Sequence, residues 1–244
     1  LYAKLENNYS FLCDKSDAFV LLSNNFKKDF NALFKSNPIP LNVYAINNPI
    51  VYEKSDIVIS NKKKQLLYVG RLECGMKRLD KLVANWAAIA SSNPEWTLHL
   101  VGGGPDELQL KKQVKENKIP RVFFEGIQNP TSFYKDASIF CFSSASSEGW
   151  GMVLVEAQVH GCVPIGFESY AAITDIIQDK ENGVLVPAFD DEKYREQLQK
   201  LMQEENFRLN LANKAMETVQ QFDVDKIGLQ WEHLFDKLSC NKIQ

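Results

Sequence analysis

Strand-length apolar runs at 66–69, 96–101, 121–125, 138–142, 163–166 and 183–186 alternate with helix-length segments at 79–90, 107–117, 130–135, 151–160 and 171–178. No other feature of the chain restricts its fold as strongly. Unbroken apolar strands joined by amphipathic helices are βαβ units, which build a parallel sheet covered by helices on both faces. The expected class is therefore α/β. From about residue 192 the pattern turns all-helical and ends in a segment at 225–238. The first forty-six residues read differently, as a helix, a strand at 19–22, a second helix and a strand at 41–46. Two parallel strands do not make an independent sheet. That segment reads as the remnant of a first domain, 1–47, with a sheet domain over 48–224 and a final helix over 225–244. The pair Asn47-Asn48 followed by Pro49 marks the linker.

Composition bounds the function classes. A net charge of −3 over 244 residues gives no general attraction to nucleic acid or to an anionic membrane. The five cysteines, Cys13, Cys74, Cys141, Cys162 and Cys240, are odd in number and contain no CxxC pair. That usage suits reduced thiols in the cytoplasm, and neither a zinc site nor a disulfide frame. No apolar run reaches the ~18 residues of a membrane span, and the N-terminus lacks a signal-peptide pattern. The first residue is Leu, which suits a piece of a longer chain.

Four places stand out, each just after an expected strand, where open parallel sheets bind ligands. In "YVGRLECGMKRLDKL" Arg71 follows the strand and Lys77 lies near the next helix. A planar fork of donors and a point charge suit a pyrophosphate; a solvated basic turn is the alternative. Arg78 reads as a surface residue, and Asp80 as its partner or as part of the first helical turn. In "LVGGGPDEL" the glycines Gly102 and Gly103 allow backbone to approach a ligand, and a tight structural turn explains them as well. In "VFFEGIQNP" the strand end at Gly126-Ile127 can offer backbone groups to a base edge, or be an ordinary connection capped by Asn129.

The fourth place, "SSEGWGMVLVEAQVHGCVPIG", sets Glu148 and Glu156 eight positions apart, one in a glycine-broken loop and one inside the following helix. Eight residues do not stack on one helical face. Gly149 and Gly151 free the backbone, so the amides of Met152 and Val153 at a positive helix end can meet an anion. Glu148 would repel a phosphate, so its natural partners are hydroxyls. Glu156 lies in a helix that is apolar nearly all round, and a buried carboxylate without a partner costs several kcal/mol or more. Its reading as an acceptor from a ribose diol is favoured over that of a surface helix residue.

With these four places in hand, the sequence resembles the donor-binding C-terminal half of the GT-B glycosyltransferases, in particular the large retaining family 4. The resemblance rests on Gly70-Arg71 with Lys77 six positions on, "VGGGP", "FFEG", and "EGWGMVLVEA" with its two glutamates separated by seven residues. It covers roughly residue 43 to the C-terminus. It implies a Rossmann-like parallel sheet and transfer of a sugar from a nucleotide sugar, most commonly a UDP-sugar, to a glycan or lipid-linked acceptor, as in cell-envelope polysaccharide synthesis. Arg71, Lys77 and Glu148 would be the catalytic set, with the two cations on the diphosphate. Glu148 would take sugar hydroxyls, Glu156 the ribose, and Ile127 the base through its backbone. Gly70, Gly102, Gly103, Gly149, Trp150, Gly151, Met152 and Val153 would complete the donor site. Trp150 departs from the Phe more usual there. The resemblance also implies that the final helix crosses back to the first domain.

No cofactor or metal is expected, because the cations and helix amides can themselves stabilise a departing diphosphate. "DVD" at Asp223 to Asp225 reads as a helix cap; His99 and His160 read as core or surface residues. Partners implied are the nucleotide sugar and its acceptor, with any peripheral membrane contact made through the missing domain and no nucleic acid. Without that domain the chain is expected to bind donor but not to turn over. The competing readings are a non-catalytic nucleotide-sugar-binding module and a GT-B-like epimerase. Acceptor, sugar, base and oligomeric state are not legible.

Overall fold

The computed structural model describes residues 2–34, 39–51, 57–145 and 148–241. In chain order the elements are α1 (Tyr2–Lys15), β1 (Phe19–Leu21), α2 (Phe26–Asn31), β2 (Val43–Ala45), β3 (Lys63–Val69), α3 (Leu79–Ile89), β4 (Thr97–Val101), α4 (Glu107–Glu116), β5 (Val122–Gly126) and α5 (Thr131–Asp136). Then come β6 (Ala137–Phe142), α6 (Met152–Val159), β7 (Val163–Glu168), α7 (Ile173–Ile176), β8 (Val184–Pro187), α8 (Asp191–Gln203), α9 (Glu205–Thr218) and α10 (Val224–Asn241).

The larger unit, 53–220, is a six-stranded sheet in the order β5-β4-β3-β6-β7-β8, with every neighbouring pair parallel. The chain starts at the middle strand, steps outward to β5, returns to place β6 beside β3, and steps outward the other way. Loops leaving β3 and β6 therefore diverge, and a crevice opens above the carboxyl ends of those two strands. β6 is buried at every position, which is why it reads as an unbroken apolar run. α3 buries Leu79, Leu82, Val83, Trp86 and Ile89, the helical spacing of a core-facing stripe. Trp86 also donates its indole N–H to the Pro120 carbonyl at 2.9 Å, so its one polar atom is satisfied.

One expected helix shrinks. The segment 171–178 forms only the four-residue α7, because Asn182 Oδ1 accepts from the Gln178 amide at 2.7 Å and draws the chain away.

The smaller unit comprises 1–52 with 221–244. Alternation on two short parallel strands gives it two apolar faces. Phe19, Leu21 and Val43 pack with Cys13, Phe30 and Phe34 of the α1–α2 side. Val20 and Tyr44 pack with Ile46, Ile227, Leu234 and Leu238, the last three on α10. The two units divide at 52/53 and 220/221. The reason is a backbone exchange: Ile50 N–H donates to Phe222 O at 2.8 Å and Val224 N–H to Ile50 O at 3.0 Å. Asp223 Oδ1 accepts from the Asp225 amide at 3.0 Å, capping α10.

Candidate functional site

The loop from Gly70 to Arg78 carries the two expected cations, and the turn after β4 holds it in place. Gly70 N–H donates to Val101 O (3.0 Å), Leu72 N–H to Gly103 O (3.1 Å) and Asp106 N–H to Leu72 O (3.2 Å). The Asp106 carboxylate accepts from the Cys74 amide at 2.7 Å. These bonds require backbone against backbone: a Cβ on Gly102 would sit 1.9 Å from Gly70 O, and one on Gly104 2.3 Å from Leu72 O. Gly102 and Gly104 thus make room for the protein's own chain. Gly103 differs, since a Cβ there would meet side chains and no backbone, Ile127 at 2.9 Å and the Glu107 carboxylate at 3.8 Å. Ile127 itself is 87% exposed. From the β6 side, Ser143 Oγ–H donates to Lys77 O at 2.6 Å and Ala145 N–H to Met76 O at 2.7 Å.

Across the β3–β6 crevice Lys77 and Glu148 form an ion pair, with side chains 20% and 13% exposed. Arg71 is the open cation: its side chain is 67% exposed and Glu73 stands 3.8 Å away. Arg78 corrects the expectation of a surface residue. Its left-handed backbone (φ 50°) turns it inward, and its guanidinium lies 4.9 Å from the Phe167 ring and 4.6 Å from that of Phe189. It donates to Asp191 at 3.2 Å, and Asn85 donates to the same carboxylate at 2.9 Å. Arg78 is a tie between loop and sheet. Asp80 lies in the first turn of α3 and is not the partner of Arg78.

Gly151 precedes α6 in the left-handed conformation (φ 87°), and a Cβ there would lie 2.6 Å from the Tyr170 hydroxyl. Gly149 faces open space. Trp150 is 2% exposed and its carbonyl accepts from Tyr170 at 3.2 Å, so its ring belongs to the interior. Met152 and Val153 open the helix, where amides have no intrahelical acceptor. Glu156 is half-buried, and its Oε2 accepts from the Tyr134 phenol at 2.9 Å. Burial, reinforced by the charge of Glu148, holds the Tyr68 and Tyr170 phenols above the usual phenol range, so both remain neutral donors near it.

Along the carboxyl edge of the sheet the order is therefore Ile127 after β5, Gly102 and Gly103 after β4, Gly70, Arg71 and Lys77 after β3, and Glu148 through Glu156 after β6. Lys77 and Glu148 touch; Glu156 is bonded elsewhere. Sequence reasoning missed Tyr134, Ser143 and Tyr170, which lie in no motif, and Asp106, which lies in the "LVGGGPDEL" turn beside the glycines that drew attention. His99 pairs with Glu125 at 2.6 Å and stacks on Phe123, and His160 stacks on Tyr134. Among the described residues no group of three or more His, Cys, Asp or Glu could hold a metal ion, and no helix is long and apolar enough to cross a membrane.

A parallel six-stranded sheet flanked by helices in this way matches the Rossmann-like domains of the GT-B glycosyltransferases. The pneumococcal O-GlcNAc transferase GtfA, solved in complex with UDP and GlcNAc, superposes with a TM-score of 0.82 at 20% identity, over 95% of this chain and 48% of that one. The sequence model described as "Glycosyl transferases group 1" matches residues 52–218, and the chain belongs to that family. An uncharacterized glycosyltransferase of Haemophilus influenzae is 28% identical over 90% of this chain and 60% of its own length. The N-acetyl-alpha-D-glucosaminyl L-malate synthase of Bacillus anthracis is 28% identical over 95% and 62%. The chain thus spans about three fifths of the length of these two relatives.

Proposed function

We propose that this chain is the donor side of a retaining family 4 glycosyltransferase, taking a sugar from a nucleotide sugar, UDP-linked by preference, for a glycan or lipid-linked acceptor. The observation that carries the reading is the Lys77–Glu148 ion pair at the point where the strand order reverses. A cation and an acid held together there are poised to be separated by a ligand that offers each a better partner. A diphosphate takes Lys77, joined by Arg71 and the amides of Met152 and Val153. Glu148, released, accepts from hydroxyls of the sugar. Glu156 accepts from the ribose, and the backbone near Ile127 meets the base. In the reaction the bond from anomeric carbon to diphosphate oxygen breaks with its electron pair going to the diphosphate, whose growing charge the two cations and helix amides stabilise. The acceptor hydroxyl forms the new bond to the anomeric carbon and passes its proton to the departing diphosphate oxygen. Positioning of that hydroxyl against the anomeric carbon can account for ~7–11 kcal/mol of a barrier.

The test is calorimetry of the chain with UDP, GDP and ADP and their hexose forms, with and without a chelator. One nucleoside diphosphate should bind, and chelator should not abolish it. Glu148→Gln supplies the sharper outcome. Freed from its partner, Lys77 should bind the plain nucleoside diphosphate about two- to fivefold more tightly, the scale of a modest ion pair. The extra affinity of the sugar-bearing form should fall. Equal weakening of both ligands by Glu148→Gln would sink the exchange.

A further inference from the structure

α6 contains two polar side chains among eight residues, and the structure accounts for each differently. Gln158 is 1% exposed and donates to the Ile176 carbonyl at 3.1 Å, a core tie. Glu156 is half-buried, and the single bond to its carboxylate among the described residues is that from Tyr134 to Oε2. Tyr134 is held from several sides. It is 2% exposed; its ring stacks on His160 at 5.4 Å with 18° between the planes and leans on Phe140 at 5.9 Å. Its carbonyl accepts from Lys62 Nζ at 2.7 Å and from Cys162 Sγ at 3.0 Å. His160 is in turn tied to Glu156, whose carbonyl accepts from Nδ1 at 2.8 Å.

Burial keeps the Tyr134 phenol protonated well above the ordinary range, with the Glu156 charge adding to the effect. Burial also keeps His160 below its usual value, so the imidazole is neutral at pH 7 and the phenol is the donor that the carboxylate meets. A carboxylate has about four acceptor positions, and one donor fills one of them. Two adjacent hydroxyls can fill others, provided that the group does not swing. A carboxylate fixed beforehand loses less freedom when it binds.

We infer that Tyr134 is the positioning residue for ribose recognition: it holds the Glu156 carboxylate in one orientation, leaving Oε1 and a second position on Oε2 for the 2′,3′-diol of a nucleoside diphosphate. This rests on the reading of Glu156 as the ribose acceptor. Tyr134 touches no substrate; it acts through Glu156. A phenol that merely satisfies itself against the nearest acid would leave diol selectivity unchanged when removed.

The experiment uses the 244-residue chain and its Tyr134→Phe, Glu156→Ala and doubly substituted forms. UDP, GDP and ADP are titrated in parallel, and the tightest binder is carried forward beside its 2′,3′-dideoxy form. Tyr134→Phe should weaken the ribose form by about five- to tenfold, near the scale of one hydrogen bond to a charged group, and the dideoxy form by less than about twofold. In the Glu156→Ala background Tyr134→Phe should change neither ligand. The ratio of ribose to dideoxy affinity is a readout that loss of stability alone does not move. Should Tyr134→Phe not fold, Phe140→Leu, which removes only the ring beside Tyr134, should lower the same ratio in part. An unchanged ratio in the variant that does fold overturns the inference. If Glu156→Ala lowers the ratio and Tyr134→Phe does not, the inference fails while the ribose reading stands. If none of the three nucleotides binds, or Glu156→Ala leaves the ratio unchanged, the ribose reading fails and takes the inference with it.

Discussion

The turn after β4 carries three consecutive glycines, Gly102 to Gly104, and the loop before α6 carries two, Gly149 and Gly151. In the first turn a missing side chain lets Gly70 O and Leu72 O press against the backbone, and four hydrogen bonds fasten the cation-bearing loop. In the second, Gly149 borders open space and Gly151 supplies the left-handed entry to the helix. One set of glycines closes protein onto protein. In the other, Gly149 leaves room next to a charged pair while Gly151 makes way for the Tyr170 hydroxyl. Glycine enrichment after a parallel strand marks a close approach, and only the surrounding chain says what is approached.

The largest effect should come from filling the closed turn. Gly104→Ala would force a Cβ against Leu72 backbone at 2.3 Å, where no flexible side chain can give way. Overpacking with the loss of one or two hydrogen bonds should cost about 3 kcal/mol or more, roughly 10 °C in Tm. A melting curve within 2 °C of the parent, on the scale of about 1 kcal/mol or less, would break the comparison. Next in size are the cations that this turn supports. Arg71→Ala and Lys77→Ala should each weaken the nucleoside diphosphate by about ten- to a hundredfold, the scale of ~1.5–3 kcal/mol for a hydrogen bond to a charged group. Arg78→Ala should instead lower Tm, because its guanidinium is packed between Phe167 and Phe189. Calorimetry beside thermal melts separates the two roles, and equal losses of affinity at all three positions would mean a diffuse basic surface. The smallest effect belongs to Gly149→Ala, which has open space for its methyl group and should change stability by no more than about 0.5 kcal/mol. A large loss of Tm there would show that the two turns are alike after all.

Legibility followed burial. The run 138–142 is β6 to within a residue, because a strand with both faces covered admits only apolar side chains. The run 171–178 misled, since Asn182, four residues beyond it, takes the Gln178 amide out of the helix. Among the site residues, Gly70, Arg71 and Lys77 were legible as strand-end residues. Lys77 and Arg78, adjacent in sequence, read as a site cation and a surface residue, and the second reading failed because Arg78 is packed on Phe167 and Phe189. A left-handed backbone at Arg78 sends one cation to Glu148 and the other to Asp191.

The sequence by itself determined the parallel α/β unit, its strands, and the residue types offered at each strand end. Those are consequences of local periodicity and of the demand that apolar runs be covered. The tertiary structure alone decided that β6 lies beside β3, and with it that Lys77 meets Glu148 from 71 residues away. It also decided that Tyr134, 22 residues before Glu156, is the donor that holds it. Strand order depends on which faces two distant βαβ halves bury against one another. No local pattern encodes that choice, so the pairing of charges across the crevice exists only once the sheet is assembled.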